Sequence, residues 1–280
     1  MAGRGQSTLK NYGHHLARVA LHFSCLPTEL DCDQLNDYLY LVKQEHNTPS
    51  DSYFKFTVYS LRYVFRMEGL KDKRIELPPL RGNKKLPVVL SKPEVKRLLL
   101  APRLLKHRLL IALLYGCGLR CAEARNLMLR DLDFDRKMLH VRQGKGGKDR
   151  YVPLSEHLTR GLKSYIEAEC PQQWLFNGQV QQGKEGLLDT RYTTAGIQHV
   201  VRSARRGAGI EKQVTPHTLR HTYATHLLED GLDIVSIKDL LGHACIDTTM
   251  VYLHVAQSGR RKPFSPLDTL YNKPCGPGTK

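Results

Sequence analysis

Thr215-Pro216-His217-Thr218-Leu219-Arg220-His221 starts a helix and loads its first turns with polar chemistry. A threonine followed by proline reads as an N-cap and first helical position, so His217 and Arg220, three residues apart, share one face. Three other short segments carry groups of the same kind: Gly118-Leu119-Arg120, Leu241-Gly242-His243 and Val251-Tyr252. Arg120 follows the tight turn Gly116-Cys117-Gly118, at the mouth of a helix expected from Cys121 to Leu129. A cation there opposes the helix dipole unless an anion lies nearby. Gly242 closes a helix with Ile234, Ile237, Leu240 and Leu241 on its buried face, which sets His243 just past a C-cap, where the dipole favours an imidazolium. Tyr252 ends a short polar-started helical stretch, Thr248-Thr249-Met250-Val251-Tyr252.

Between the two arginine segments, strand-like Met138 to Arg142 and Arg150 to Leu154 flank Gly144-Lys145-Gly146-Gly147-Lys148-Asp149, a hairpin signal. Upstream, Ser91-Lys92-Pro93-Glu94 is a capping box with proline in the first turn. Before it, helical periodicity places Leu9, Tyr12, Leu16, Val19, Ala20 and Phe23 on one helix. Asp33 is expected to cap a second, bearing Leu35, Tyr38, Leu39 and Val42. A third spans Ser50 to Glu68 and is closed by Gly69. Leu77-Pro78-Pro79 breaks the pattern, and Arg81 to Pro87 has linker composition. The expected fold is mainly α with a small β-sheet or hairpin. Residues 1–82 form a helical domain, 83–90 a linker and 91–280 a second domain, with a tail from about 255.

Composition narrows the class. Hydrophobic residues make up 41% of the chain, enough for packed cores and too many for a disordered chain. No apolar run is long enough to span a membrane, and Met1 to Lys10 lacks the apolar core of a signal peptide. The seven cysteines form no Cys-x-x-Cys pair, which fits reduced thiols in a cytoplasmic protein. The net charge is +16, and between Arg62 and Arg108 there are 14 basic residues against four acidic, a surplus at the domain seam suited to a phosphate backbone. His217 and His221 stand at i and i+4, yet Thr218 occupies the position where a metalloprotease carries glutamate, and no cysteine or acidic cluster completes a shell. No metal and no cofactor are expected.

Two guanidiniums, two imidazoles, a phenol and a lysine suit the transition state of a phosphodiester. Arginine forks neutralise non-bridging oxygens, imidazoles move protons, and a deprotonated phenol attacks phosphorus. The order Arg, Lys, His-x-x-Arg, His, Tyr resembles that of the tyrosine recombinases, the integrase family, over nearly the whole chain. The resemblance implies a helical, SAM-like N-terminal domain that clamps DNA and a C-terminal catalytic domain. It makes Tyr252 the nucleophile, Arg120 and Arg220 the phosphate clamp, and Lys145 the general acid on the leaving 5′ oxygen, with Lys148 as the alternative. His217 becomes the proton-transfer residue, His243 a donor to the phosphate, and Glu123 the carboxylate that steadies an arginine. His221 and His226 read as packing or hydrogen-bonding residues. Lys84, Lys85, Lys148 and Arg150 are expected on the DNA.

The implied partner is double-stranded DNA with short inverted half-sites, engaged by a homo-oligomer that forms a tetrameric synapse in the nucleoid. A type IB topoisomerase, or a non-catalytic DNA-binding protein of this fold, are the alternatives. After Tyr252, Pro263 and Pro266 interrupt the tail, and proline in a helix interior costs about 3 kcal/mol. Phe264, Leu267, Leu270 and Tyr271 are therefore expected to dock on a neighbouring protomer from a broken or extended tail.

Overall fold

In the computed structural model the described residues are 6–44, 51–78, 86–142, 149–182, 188–254 and 256. The chain divides into two units, Met1–Lys85 and Leu86–Lys280. Lys84, Lys85, Lys145, Lys148 and the tail beyond 256 lie outside the described residues.

Helical spacing of apolar residues builds the first unit. Helices α1 (Gln6–Phe23), α2 (Cys32–Gln44) and α3 (Asp51–Met67) bury Val19, Leu35, Leu39, Phe54, Val58, Leu61 and Phe65 against one another. Each such aliphatic or aromatic side chain contributes about 1.5–3 kcal/mol by leaving water. The cap of α2 is Asp31 rather than Asp33: Asp31 Oδ1 accepts from the Gln34 amide at 2.7 Å, and Gln34 Oε1 accepts from the Asp31 amide at 3.1 Å. Reciprocal satisfaction of two amides favours that register. Gly69, at φ +72°, ends α3, and the Leu70 amide reaches back to the Phe65 carbonyl at 2.8 Å. Not all of the basic surplus faces solvent. Arg62 donates twice to the Ile75 carbonyl, at 2.9 and 2.6 Å, and Lys73 Nζ donates to the carbonyls of Thr28 and Leu30. These two cations close the unit's own backbone.

The second unit opens at α4 (Lys92–Leu100), where Ser91 and Glu94 form the expected capping box. Next come α5 (Leu105–Gly116) and α6 (Cys121–Arg125). Helix α6 ends at Asn126 instead of reaching Leu129, and a 3-10 turn over Leu129–Asp131 follows, held by Asp131 Oδ2 on the Met128 amide at 2.9 Å. Strands β1 (Leu132–Asp133), β2 (Met138–Val141) and β3 (Arg150–Pro153) form an antiparallel sheet with Leu139 opposite Val152. After α7 (Glu156–Glu169), a second antiparallel pair, β4 (Asn177–Gln182) and β5 (Leu188–Arg191), adds a sheet that the periodicity does not disclose. Helices α8 (Thr194–Gly207), α9 (Pro216–Glu229), α10 (Ile234–Leu241) and α11 (Asp247–Met250) complete the unit, and a 3-10 turn over Val251–His254 follows α11.

The core sits around α5: Leu110, Ile111, Leu113 and Leu114 are buried with Leu162 of α7, Val201 of α8 and Leu219 of α9. The architecture is mainly helical with small antiparallel sheets. Among the described residues no helix is long and apolar enough to cross a membrane.

Candidate active site

Four chain segments converge because the second unit packs its helix ends together. Gly118 sits at φ +57°, and a Cβ there would lie 2.5 Å from the Tyr223 ring, so only glycine lets the α5–α6 turn approach α9 this closely. Its carbonyl accepts from Arg220 Nη1 at 2.6 Å, and the Leu241 carbonyl takes Nη2 of the same guanidinium. Arg220 is 3% exposed. Burial and then Arg120 lower its pKa to about 10, so it stays charged at neutral pH.

Arg120 is the N-cap residue of α6, as expected, but the dipole plays little part in a helix of five residues. Glu123 meets the charge instead. Its carboxylate accepts from the Arg120 amide at 2.8 Å and from Arg120 Nη1 at 2.7 Å, while Arg120 Nη2 reaches the Gly242 carbonyl at 3.2 Å.

Arg150 departs from the expectation of a DNA-facing side chain. Its guanidinium lies across the same carboxylate, Nη1 and Nη2 at 2.9 and 2.8 Å from the two oxygens, with Nε on the Leu240 carbonyl at 2.8 Å. Its side chain is 8% exposed, too enclosed to reach a duplex. The physical reason is strand alternation: Arg150 shares the inward face of β3 with the fully buried Val152, while Tyr151 points out. Burial alone would raise the pKa of Glu123, but the hydrogen bonds and charge of Arg150, then those of Arg120, outweigh it and hold the carboxyl at about 2. Three guanidiniums thus gather around one carboxylate, with Glu123 also 3.8 Å from Arg220. The cluster keeps two positive charges for an anion.

The imidazoles stand around this charge. His217 is an exposed residue in the first turn of α9; the burial it has, then Arg220 and Arg120, lower its pKa. His243 Nδ1 lies 2.9 Å from Thr249 Oγ1. Its pKa falls to about 4 through burial and then Arg220, Arg120 and Arg150, so the imidazolium expected from the helix dipole is replaced by a neutral ring. In the tautomer whose Nδ1 accepts from the Thr249 hydroxyl, the Nε2–H is left to donate. His226 is buried, with Nδ1 2.9 Å from the Tyr115 hydroxyl.

Tyr252 is 2% exposed. Its hydroxyl lies 3.0 Å from Nδ1 of His221, with ring centroids 5.6 Å apart. Burial raises the phenol's pKa while Arg220 and then Arg120 pull it down, so the hydroxyl lies within the field of both guanidiniums. The structure therefore brings together Arg120, Glu123, His217, Arg220, His243 and Tyr252 from the sequence-derived set. To these it adds Arg150 and His221, which the motif spacing did not single out for the reaction.

A cleft of about 710 Å³ runs from Arg120 past Asn126, Arg130, Arg142, Trp174 and Arg191. Arg191 is tied down by Asp189 and Asn126 over the Trp174 ring at 5.0 Å, and Arg142 Nε meets the buried Asp131 at 2.5 Å. Arg130 is exposed. Among the described residues no group of three or more His, Cys, Asp or Glu side chains is placed to hold a metal ion.

The Phage integrase family is matched over residues 88–258. Tyrosine recombinase XerA of Thermococcus kodakarensis is 35% identical over 264 residues, which cover 94% of this chain and 89% of that protein. XerA of Pyrococcus furiosus is 33% identical, over 97% of this chain and 92% of its own. Among solved structures, XerA recombinase superposes with a TM-score of 0.54 at 29% identity, covering 90% of this chain and 88% of that one. XerH bound to a palindromic difH substrate after cleavage gives 0.72 at 23% identity, over 90% and 78% of the two chains, a likeness of fold.

Proposed function

Since the chain belongs to the phage integrase family of tyrosine recombinases, we propose that this arginine, histidine and tyrosine cluster cuts and rejoins DNA through a 3′-phosphotyrosyl intermediate. The protein is a site-specific DNA recombinase. The observation that carries the assignment of residues is the Tyr252 hydroxyl lying 3.0 Å from His221, the residue after Arg220 on α9, beside a cluster that holds two uncompensated positive charges. A dianionic phosphorane fits that charge, and groups already fixed by Glu123, Gly118 and Leu241 need no reorganisation to meet it.

In the proposed reaction the phenolic oxygen of Tyr252 bonds to phosphorus and the bond to the 5′ oxygen breaks. Arg120 and Arg220 neutralise the non-bridging oxygens, His243 donates to the same phosphate, and the family resemblance gives His217 the proton-transfer role. Lys145 protonates the departing oxygen. Rejoining reverses each step, and the bond energy is kept in the phosphotyrosine. The DNA carries short inverted half-sites, each bound by one protomer, and a tetrameric synapse exchanges the strands.

A suicide substrate nicked beside the scissile phosphate, built from inverted repeats in the DNA next to the gene, tests this reading. A covalent protein–DNA complex is the expected result. Supercoil relaxation with no site preference would point instead to a topoisomerase.

Lys145→Ala should slow cleavage of ordinary DNA by about 10²-fold or more, yet barely slow a substrate whose 5′ leaving group is a thiolate, which needs no acid. Equal slowing of both would give the lysine a binding role and bring Lys148 forward. The cleft beyond Arg120 is the proposed path of the flanking backbone, in place of Arg150. Arg130→Ala should therefore lower the slope of log affinity against log salt by about 1. An unchanged slope removes the cleft from the DNA path.

A further inference from the structure

We propose that His221, rather than His217, is the base that takes the proton of Tyr252 when the phenol attacks phosphorus. The proposal rests on Tyr252 being the nucleophile. Its ground is contact with the reacting atom: the Tyr252 hydroxyl lies 3.0 Å from His221 Nδ1, within hydrogen-bond reach for proton transfer. The phenol is 2% exposed, so bulk water does not compete as the acceptor. His221 also sits on a stiff support. It follows Arg220 on α9, and that guanidinium is bonded to the carbonyls of Gly118 and Leu241. Two of the neighbouring imidazoles have other duties, His243 on Thr249 and His226 on Tyr115.

The step balances without a further reactant. Nδ1 of neutral His221, with its proton on Nε2, accepts the phenolic proton as the oxygen–phosphorus bond forms. The 5′ oxygen leaves with a proton from Lys145. On rejoining, the 5′ hydroxyl attacks phosphorus and returns its proton to Lys145, and imidazolium His221 reprotonates Tyr252.

The electrostatics agree in sign. The charged and titratable groups around the pair are His217 and Arg220 on α9, His243 after α10, and Arg120 at the start of α6. Burial, then His217 and Arg220, lower the pKa of His221 below the ordinary imidazole value, so the ring is neutral and able to accept at neutral pH. Cleavage should therefore fall on the acid side as the pH drops through that lowered value and His221 takes up a proton.

A pure latch that parks the tyrosine would give the same hydrogen bond, and the test separates the two roles. Single-turnover cleavage of the suicide substrate is followed against pH for wild type, His221→Ala, His221→Gln and His217→Gln, with half-site affinity and melting temperature measured on each. His221→Ala should cleave about 10²-fold more slowly or worse, lose the acidic limb of the profile, and recover in added imidazole. His221→Gln keeps a hydrogen bond to the phenol but accepts no proton, and should be as slow. His217→Gln should lower the rate and keep the limb. Unchanged or faster cleavage in His221→Ala, full activity in His221→Gln, or a limb lost only with His217 would overturn the proposal. If Tyr252→Phe still forms an adduct, the fault lies with the nucleophile assignment instead.

Discussion

Tyr252→Phe eliminates the covalent protein–DNA complex on a nicked substrate, while half-site affinity stays within a few-fold of wild type. The change deletes one oxygen from a side chain that is 2% exposed, so the ring remains in place against α9 and the packing is nearly unchanged. It leaves His221 Nδ1 without its 3.0 Å partner, an unmet acceptor worth about 1–3 kcal/mol of stability. That loss is modest beside the chemistry. Without the phenol no atom at this position can form the phosphoester, so the adduct falls below detection instead of merely slowing. Affinity survives because it comes from cations that the substitution does not touch, the net charge being +16. Denaturing gel analysis of trapped complexes checks the first half and a salt titration of half-site binding checks the second. An undiminished adduct in the variant would remove Tyr252 from the reaction.

Local rules made much of the site legible, and long-range ones hid the rest. Ser91, Thr215 and Gly242 act as caps as the spacing implies, because a cap is decided within three or four residues. Asp33 lost its place to Asp31 because two carboxylates stand within one turn and only Asp31 finds a reciprocal partner in Gln34. For Arg150 a signal was present: in Arg-Tyr-Val-Pro it shares a face with Val152, so alternation alone turns it inward.

His221 offered less to read. Helix α9 is buried nearly all round, from Leu219 and Arg220 through Thr222, Tyr223, Ala224 and Thr225, so no amphipathic stripe marks a face, and the partner is 31 residues away. His243 shows magnitude deciding between two rules. A helix terminus offers about half a charge, and burial together with three guanidiniums outweighs it.

Glu123→Gln should destabilise the second unit by roughly 3–5 kcal/mol, the range for breaking a buried ion pair from one side. Glutamine keeps the shape and loses the charge, which leaves Arg150, 8% exposed, and Arg220, 3% exposed, facing Arg120 with no anion among them. The pKa gives an independent figure. Holding the carboxyl at about 2 against an ordinary 4.5 corresponds to roughly 3 kcal/mol. Because the folded pKa is the depressed one, this stability is fully present above about pH 4.5 and is lost as the pH falls toward 2. Wild type should therefore lose stability across that window, and the variant, already without the charge, should lose less. Thermal melting at pH 7 should drop by about 10 °C for a unit of this size. A shift of only a degree or two would mean that solvent or neighbouring carbonyls already neutralise the three guanidiniums. The same charge argument sets a second readout. An anion bound between Arg120 and Arg220 supplies part of what Glu123 gave, so saturating half-site DNA should stabilise the variant more than wild type. If DNA stabilises both proteins equally, the phosphate does not enter the guanidinium cluster.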